Sequence, residues 1–259
     1  MSLYVAETGT HGAPTIVFLH AIGTSEWMWR PQVEHLRDYH CLVPHLPGHG
    51  QSTHVPWISL ADTAEQVAAI IRERATNGTA HLVGLSLGAY IVAHMLSDHA
   101  EVIDHAIMSG VTVFPLPFPG IMKLMGRVTA PLMKTKIMAR ANAKALRVPV
   151  EYYAEYYEGL QAMAQPAFLR ASAEAGRFTL PPGLAQVSCP TLVVAGQREH
   201  PLILRSAKAV VETMPNAQVR IAPNGGHGWN GEAPQLFNAM IRAWLTNSPL
   251  PQALLPLSA

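Results

Sequence analysis

Three side chains of this 259-residue sequence have the types and neighbours that nucleophilic catalysis needs. Ser86 lies in the pentapeptide GLSLG, His227 in the glycine-rich stretch APNGGHGWNG, and Glu199 in LVVAGQREHP. A serine hydroxyl is a weak nucleophile until a base takes its proton, and the base needs a carboxylate that orients its ring. Brought together, these three residues could transfer an acyl group through a covalent serine intermediate.

The pattern around Ser86 predicts a sharp turn between a strand and a helix. The apolar run HLVGL (81–85) precedes this serine and the helical pattern LGAYIVAHMLSDH (87–99) follows it. Glycines on both sides relieve the crowding of such a turn, and the N–H groups of the following helix favour negative charge beside the hydroxyl. Ser86 is therefore the predicted nucleophile, and the alternative is a serine in an ordinary tight turn.

His227 and Glu199 are the predicted base and acid because of where they lie along the chain. Around this type of turn the order is serine, then acid, then histidine. His227 is one of 13 histidines, but it lies in a glycine-rich loop between the last strand and the last helix. Glu199 directly follows a predicted strand, unlike the other glutamates between Ser86 and His227. The four aspartates come too early or fall within predicted elements: Asp38, Asp62, Asp98 and Asp104. The alternatives are an exposed loop histidine and a loop glutamate paired with Arg198.

Two backbone N–H groups are the candidates for an oxyanion hole, which would hold the negative oxygen of a tetrahedral intermediate. The first is the N–H of Leu87, the residue after the nucleophile. The second should come from the loop HAIG (20–23), which follows the strand-like run TIVFLH, and there we choose the N–H of Ile22.

Short apolar runs alternate with longer helical patterns, which predicts an α/β fold: a mainly parallel twisted sheet with helices on both faces. The run LYVAE (3–7) is expected to form an antiparallel edge strand. The other predicted strands are TIVFLH (15–20), HCLVPHL (40–46), HLVGL (81–85), VIDHAIMS (102–109), TLVVAG (191–196) and AQVRIA (217–222). The predicted helices of this layer cover 60–75, 87–99, 205–214 and 234–245.

The segment 114–182 interrupts this alternation and is predicted to be a helical cap, inserted between the two parts of a core that covers 1–113 and 183–259. It has prolines at both ends, a tyrosine cluster, EYYAEYYEGL, and several methionines, Met122, Met125, Met133, Met138 and Met163. Methionine-rich helices form adaptable apolar surfaces, so a pocket under them should be apolar. The alternative is that these helices belong to the main layer.

Composition excludes several classes of partner. The net charge is only +1, so no strong electrostatic field would attract nucleic acid. Hydrophobic residues make up 49% of the sequence. No apolar run reaches the length of a membrane helix, and the first residues do not have the pattern of a signal peptide. Cys41 and Cys189 are solitary and should be buried, reduced thiols, which fits a cytoplasmic protein.

No cofactor and no metal are expected. The stretch GHGWNG (226–231) has the glycine spacing of a dinucleotide fingerprint, but only 28 residues follow it, too few for the strand–helix–strand unit that such a site needs. His45 and His49 flank LPG without a carboxylate or thiol nearby in the sequence, which is a poor ligand set.

The motifs of this chain resemble those of the α/β-hydrolase-fold superfamily, in particular its small, single-chain, capped serine hydrolases. The matching stretches are HAIG, LPGHGQS (46–52), GLSLG, AGQRE and GGHGW, which run from residue 20 to residue 229. The resemblance implies a helical cap, a catalytic triad and a backbone oxyanion hole. Two positions differ: Ala21 stands where members usually have glycine, which would narrow the oxyanion site or tilt its donor, and Glu199 stands where aspartate is more frequent.

Hydrolysis of an ester or related acyl compound with an apolar part is the leading functional hypothesis, with a small molecule as the substrate. The first alternative is a C–C bond hydrolase or lyase of the same fold, whose carboxylate substrates would call for an arginine. The cap offers Arg127, Arg140, Arg147, Arg170 and Arg177 for that purpose. The second alternative is a receptor or signalling protein with slow turnover. The sequence does not predict an oligomeric state.

Overall fold

A twisted sheet lies at the centre of the protein in the computed structural model, which describes residues 2–115, 132–146 and 148–257. Seven strands of these residues pair in the order β1-β3-β2-β4-β5-β6-β7, with β1 antiparallel to β3 and all other pairs parallel. The strands are β1 (Val5–Gly9), β2 (Thr15–Leu19), β3 (His40–Pro44), β4 (Ala80–Leu85), β5 (Ile103–Ser109), β6 (Thr191–Gly196) and β7 (Ala217–Ala222). The predicted parallel sheet and its antiparallel edge strand are confirmed.

Helices cover both faces of the sheet, so β2, β3, β4 and β6 are buried along their whole length. One apolar core packs against α2 (Leu60–Arg74), α3 (Leu87–Asp98) and α7 (Pro201–Thr213), and the other against α9 (Pro234–Leu245). The remaining helices are α1 (Arg30–His35), α4 (Lys136–Leu146), α5 (Tyr153–Ala162), α6 (Gln165–Ala175) and α8 (Trp229–Glu232).

Helix α7 begins at Pro201, four residues before the predicted start at 205. Proline suits the first position of a helix because its missing N–H has no partner to lose there. The ring nitrogen Nδ1 of His200 accepts the Leu202 N–H at 3.1 Å and caps the helix. The sequence prediction missed this start, although the apolar residues Leu202, Ile203 and Leu204 of the first turn are half-buried.

Between β5 and β6 the described residues form helices and loops, without a strand. Part of the predicted cap, including Met122 and Met125, lies outside the described residues. Met163 is buried, whereas Met138 is 40% exposed. Methionines therefore contribute to packing in this segment, but they do not all face inward.

Cys41 and Cys189 are both free and buried, as predicted. Burial raises the pKa of each thiol to about 12, so neither is a reactive thiolate.

Among the described helices, none combines the length and the apolar character that crossing a bilayer would require.

We expect the protein to lose stability as the pH falls from 6.5 to 4. The unfolded chain protonates its histidines in this range, whereas buried histidines of the folded protein stay neutral. Burial lowers the pKa of His49 and of His81 from 6.5 to about 4. Between pH 4 and pH 6.5 the unfolded chain binds more protons than the folded protein does. The free energy of unfolding is therefore highest above pH 6.5 and falls as the pH falls. Linkage predicts a loss of about 2 kcal/mol per histidine at pH 5. Urea unfolding at pH 7.5 and pH 5.0 measures it.

His81→Gln should reduce this pH dependence by about 2 kcal/mol, because glutamine does not titrate. His35→Asn, at an exposed histidine, is the matched control and should leave the dependence unchanged. An unchanged pH dependence in His81→Gln would contradict the prediction.

Candidate active site

Strand β4 and helix α3 meet at Ser86, whose backbone has φ 55° and ψ −115°. Such a positive φ strains a residue that carries a Cβ, and it is found where the surrounding structure enforces it. The flanking glycines show what enforces it here. A Cβ at Gly84 would lie 2.5 Å from the carbonyl oxygen of Gly88, and a Cβ at Gly88 would collide with the carbonyl oxygen of Leu19. Strand β4 and helix α3 therefore pack with their backbones in contact, and Ser86 occupies the turn between them.

The end of β5 connects this turn to the predicted base and acid. The N–H of Ser86 donates to the carbonyl oxygen of Ser109 at 2.8 Å. The next residue, Gly110, has φ +69°, and a Cβ on it would lie 2.8 Å from His227 Cε1 and 3.1 Å from Glu199 Oε1. The imidazole of His227 and the carboxylate of Glu199 thus pack against the Cα of Gly110. Gly110 directly follows Ser109, whose carbonyl oxygen accepts the Ser86 N–H. All three predicted residues lie at the same edge of the sheet.

His227 and Glu199 form a pair in which the carboxylate is buried and the imidazole is partly exposed. Nδ1 of His227 is 2.5 Å from Oε1 of Glu199, and the other carboxylate oxygen accepts the N–H of Gly196 at 2.8 Å. The Glu199 side chain is only 1% exposed. Because the carboxylate accepts the proton on Nδ1, the opposite nitrogen, Nε2, is the basic one. Nε2 makes no hydrogen bond with a described residue and is free to take a proton.

The loops that carry Glu199 and His227 are held together through their backbones. A Cβ at Gly196 would lie 2.5 Å from the carbonyl oxygens of Gly225 and Gly226, so the two loops touch there. The guanidinium of Arg198 pairs with Glu232 at 2.8 Å. The alternative interpretation, in which Arg198 pairs with Glu199, is therefore not what the structure contains.

Sequence reasoning missed three residues at this edge: Ser109, Gly110 and Trp229. The indole Nε1 of Trp229 donates to Ser109 Oγ at 3.0 Å in a buried site and so connects the histidine loop to β5. The one available signal was the position of Gly110 directly after a strand. Nothing in the sequence indicated which residues it would face.

The two predicted oxyanion donors, the N–H groups of Leu87 and Ile22, have no hydrogen-bond acceptor among the described residues. Leu87 is the first residue of α3, where the helix itself offers no acceptor. Ile22 follows β2, whose last residue, Leu19, pairs with Gly84 next to the turn. Ala21 does not adopt a positive φ, so its backbone does not need the glycine that is usual at this position.

His20 holds the loop of Ile22 in place. Its Nε2 accepts the Leu46 N–H at 3.0 Å, so the proton is on Nδ1, which donates to the carbonyl oxygen of Ala21 at 2.8 Å. Burial, together with the neighbouring His49, lowers the pKa of His20 well below 6.5. A neutral histidine therefore connects the loop after β2 to the loop after β3.

His45 also connects two loops, whereas His49 is bonded within its own loop. Nδ1 of His45 accepts the Gln51 N–H at 2.8 Å, and its Nε2 lies 2.5 Å from Oε2 of Glu26. This contact holds the pKa of Glu26 at about 2. Nδ1 of His49 donates to the carbonyl oxygen of Pro47 at 2.9 Å.

Helices α4, α5 and α6 contact three loops of this edge, each at a glycine. A Cβ at Gly23 would lie 3.1 Å from Leu160 Cδ2, on α5. A Cβ at Gly48 would collide with Ala167 Cβ, on α6. A Cβ at Gly228 would lie 2.7 Å from the carbonyl oxygen of Leu146, at the end of α4. These helices therefore touch the loops that follow β2, β3 and β7.

Aromatic rings line the contact between these helices and the loop after β2. The ring of Trp27 lies 6.1 Å from that of Tyr152 and 6.2 Å from that of Tyr156, measured between centroids. Trp27, Tyr156 and Leu160 are buried in one apolar core. The surroundings on this side are apolar.

Two of the arginines considered for a carboxylate substrate are engaged elsewhere. Arg170 Nη1 donates to the carbonyl oxygen of Trp57 at 3.2 Å, and Arg177 Nε donates to that of Ala173 at 3.1 Å. Arg140 is exposed, and Arg127 and Arg147 lie outside the described residues.

Comparison with known proteins agrees with this architecture. The model of the alpha/beta hydrolase family matches residues 16–240. An AB hydrolase superfamily protein from Gibberella zeae is 30% identical over 258 residues, covering 93% of this chain and 83% of the relative. A thermophilic esterase from Thermogutta terrifontis superposes with a TM-score of 0.78 at 24% identity, covering 95% of this chain and 93% of the other. The enol-lactonase from Burkholderia xenovorans gives 0.77 at 19% identity, covering 94% and 96%. The chain belongs to the alpha/beta hydrolase family.

Proposed function

We propose that this protein is a serine hydrolase that cleaves an ester or related acyl substrate with an apolar part. The observation that supports it most is the pair formed by Glu199 and His227, packed on Gly110 next to the carbonyl that holds Ser86. A pair of this kind leaves a basic Nε2 at the sheet edge where the strained serine lies. That is the arrangement which converts a serine hydroxyl into a nucleophile.

In the first half of the proposed reaction, Ser86 Oγ attacks the substrate carbonyl carbon and His227 Nε2 takes the hydroxyl proton. The carboxylate of Glu199 stabilises the imidazolium that results. The N–H groups of Leu87 and Ile22 bind the oxyanion, and each is worth about 3 kcal/mol in this chemistry. When the tetrahedral intermediate collapses, His227 gives its proton to the leaving oxygen, and an acyl-enzyme remains.

In the second half, a water molecule replaces the leaving group. His227 Nε2 takes a proton from this water, whose oxygen attacks the acyl carbon, and the same oxyanion donors act again. The bond to Ser86 Oγ then breaks, and Oγ recovers the proton from His227. The carboxylic acid is released and the enzyme returns to its starting state.

Helices α4, α5 and α6 are proposed to form the cap over this site, within the segment 114–182, with 1–113 and 183–259 as the core. They touch the loops after β2, β3 and β7, and their inner side is aromatic and aliphatic. Burying an apolar acyl chain against such a wall is favourable by about 0.8 kcal/mol per methylene. The guanidinium groups of Arg170 and Arg177 already donate to backbone carbonyl oxygens, so they are less available to bind a substrate carboxylate.

Labelling with a fluorophosphonate probe tests the proposal. We expect the folded protein to gain one phosphonyl adduct, located on Ser86 by peptide mass spectrometry, and to lose hydrolysis of p-nitrophenyl butyrate. Ser86→Ala should neither label nor turn over the ester. Ser172→Ala, at an exposed serine, is the matched control and should behave as the unmodified protein.

Different results separate the alternatives. A folded protein that takes up no label would end the proposal. Labelling at Ser86 with negligible turnover of several esters would instead favour a C–C bond hydrolase, a lyase or a receptor with slow turnover.

A further inference from the structure

We propose that Glu7, His11 and His40 form a binding site for a zinc-like divalent transition metal at the edge of the sheet opposite the active site. One ligand atom from each residue lies within 4.8 Å of the other two. Two imidazole nitrogens and a carboxylate oxygen are a donor set that suits Zn²⁺ and its neighbours in the first transition row. Sequence spacing did not single out these residues, because His40 is far along the chain from Glu7 and His11.

The distances match what a tetrahedral ion requires. With metal–ligand bonds near 2.1 Å, tetrahedral ligand atoms lie about 3.4 Å apart. Oε1 of Glu7 lies 2.8 Å from His40 Nε2 and 3.5 Å from His11 Nδ1. The two imidazole rings have centroids 5.0 Å apart. Small side-chain rotations therefore bring three donors to one ion and leave the fourth position for water.

His40 is already oriented as a ligand. It is 3% exposed, and its Nδ1 lies 3.2 Å from Thr15 Oγ1. A histidine that binds a metal through Nε2 needs an acceptor for the proton on Nδ1, and the hydroxyl oxygen of Thr15 provides one. That oxygen also accepts the Thr76 N–H at 2.9 Å, which fixes its position. As a ligand, His40 carries its one ring proton on Nδ1, and the ion takes the place of a proton between Nε2 and Oε1 of Glu7.

The turn that carries His11 is held in position as well. The N–H of Thr10 donates to the carbonyl oxygen of Tyr39 at 3.0 Å, and its hydroxyl donates to that of Arg37 at 2.9 Å. The His11 side chain itself is 76% exposed, so an ion can reach it from solvent. Arg74 Nη1 lies 3.6 Å from Oε2 of Glu7, which leaves Oε1 for the histidines.

The location indicates a structural role. His40 and Thr15 are the first residues of β3 and β2, whereas the catalytic loops follow the last residues of the strands. An ion here would join the turn after β1 to the start of β3 without contact with substrate. It should therefore raise the stability of the folded protein and leave ester hydrolysis unchanged.

Titration of the 259-residue, chelator-treated protein with ZnCl₂ tests the site. Calorimetry measures the affinity, and the shift in Tm measures the stabilisation. Absorption of the Co²⁺-loaded protein reports the coordination geometry. We expect Zn²⁺ to raise Tm, and His11→Ala to weaken binding at least tenfold with Tm in chelator unchanged. His54→Ala, another exposed histidine, should bind as the unmodified protein does. Equal Zn²⁺ binding by His11→Ala, or no rise in Tm at roughly millimolar Zn²⁺, would overturn the proposal.

Discussion

Replacing Glu199 with glutamine is expected to lower kcat by about 10³- to 10⁴-fold while the protein stays folded. Glutamine keeps the size of the side chain but removes the charge that stabilises the imidazolium of His227. In serine proteases the corresponding neutralisation of the triad acid costs about 10⁴ in kcat. Glutamine also has a single acceptor oxygen, whereas the carboxylate serves both His227 Nδ1 and the Gly196 N–H. The measurement is kcat on p-nitrophenyl butyrate, with a circular dichroism melt to verify folding.

Glu212→Gln is the matched control, since Glu212 is a surface glutamate of α7 that lies 4.0 Å from Lys208. It should retain the kcat of the unmodified protein. Glu199→Asp keeps the charge but shortens the side chain, so it should fall between the two. If Glu199→Gln kept more than about a tenth of kcat, Glu199 would not be the acid.

Gly110→Ala is expected to reduce kcat by at least about 100-fold, because small misplacements of catalytic groups have effects of this size. The added Cβ would lie 2.8 Å from His227 Cε1 and 2.9 Å from its Nδ1, and no real Cβ makes such contacts. Either the imidazole or the end of β5 must move, which separates the base from the nucleophile. We expect KM to change much less than kcat. Steady-state kinetics on p-nitrophenyl butyrate measure the split.

Gly78→Ala isolates the cost of the backbone conformation from the collision. Gly78 has φ +72°, close to the φ of +69° at Gly110, but a Cβ there meets no atom within 4 Å. Both variants should lose about 1 kcal/mol of stability from the strained φ. Only Gly110→Ala should lose activity, and equal kcat values for the two variants would contradict the role of Gly110.

The strands of this fold could be predicted to within about two residues at each end because of a physical regularity. Parallel strands covered by helices on both faces are nearly continuous apolar runs, and TLVVAG (191–196) is an example that the structure reproduces as Thr191–Gly196. The turn at Ser86 could be predicted because its constraint is local: Gly84 and Gly88 lie within two residues of Ser86.

The role of Gly110 could not be predicted in this way. The atoms that exclude a side chain there belong to residues 199 and 227, far along the chain. The same holds for His20, whose Nε2 accepts the N–H of Leu46, 26 residues further along the chain. Their surroundings depend on the packing of loops, and loop packing leaves no periodic pattern in a sequence.

The carboxyl end of β5 has a consequence for how this protein could diversify. Ser109 and Gly110 hold the turn at Ser86 and the loops of His227 and Glu199 from one short piece of the sheet, through a carbonyl, a hydroxyl and a bare Cα. Under the proposed function, insertions in the segment between β5 and β6 would reshape the substrate chamber without disturbing this alignment. New substrate specificities would be gained there with little loss of kcat. A side chain at position 110, by contrast, is expected to lower kcat for every substrate.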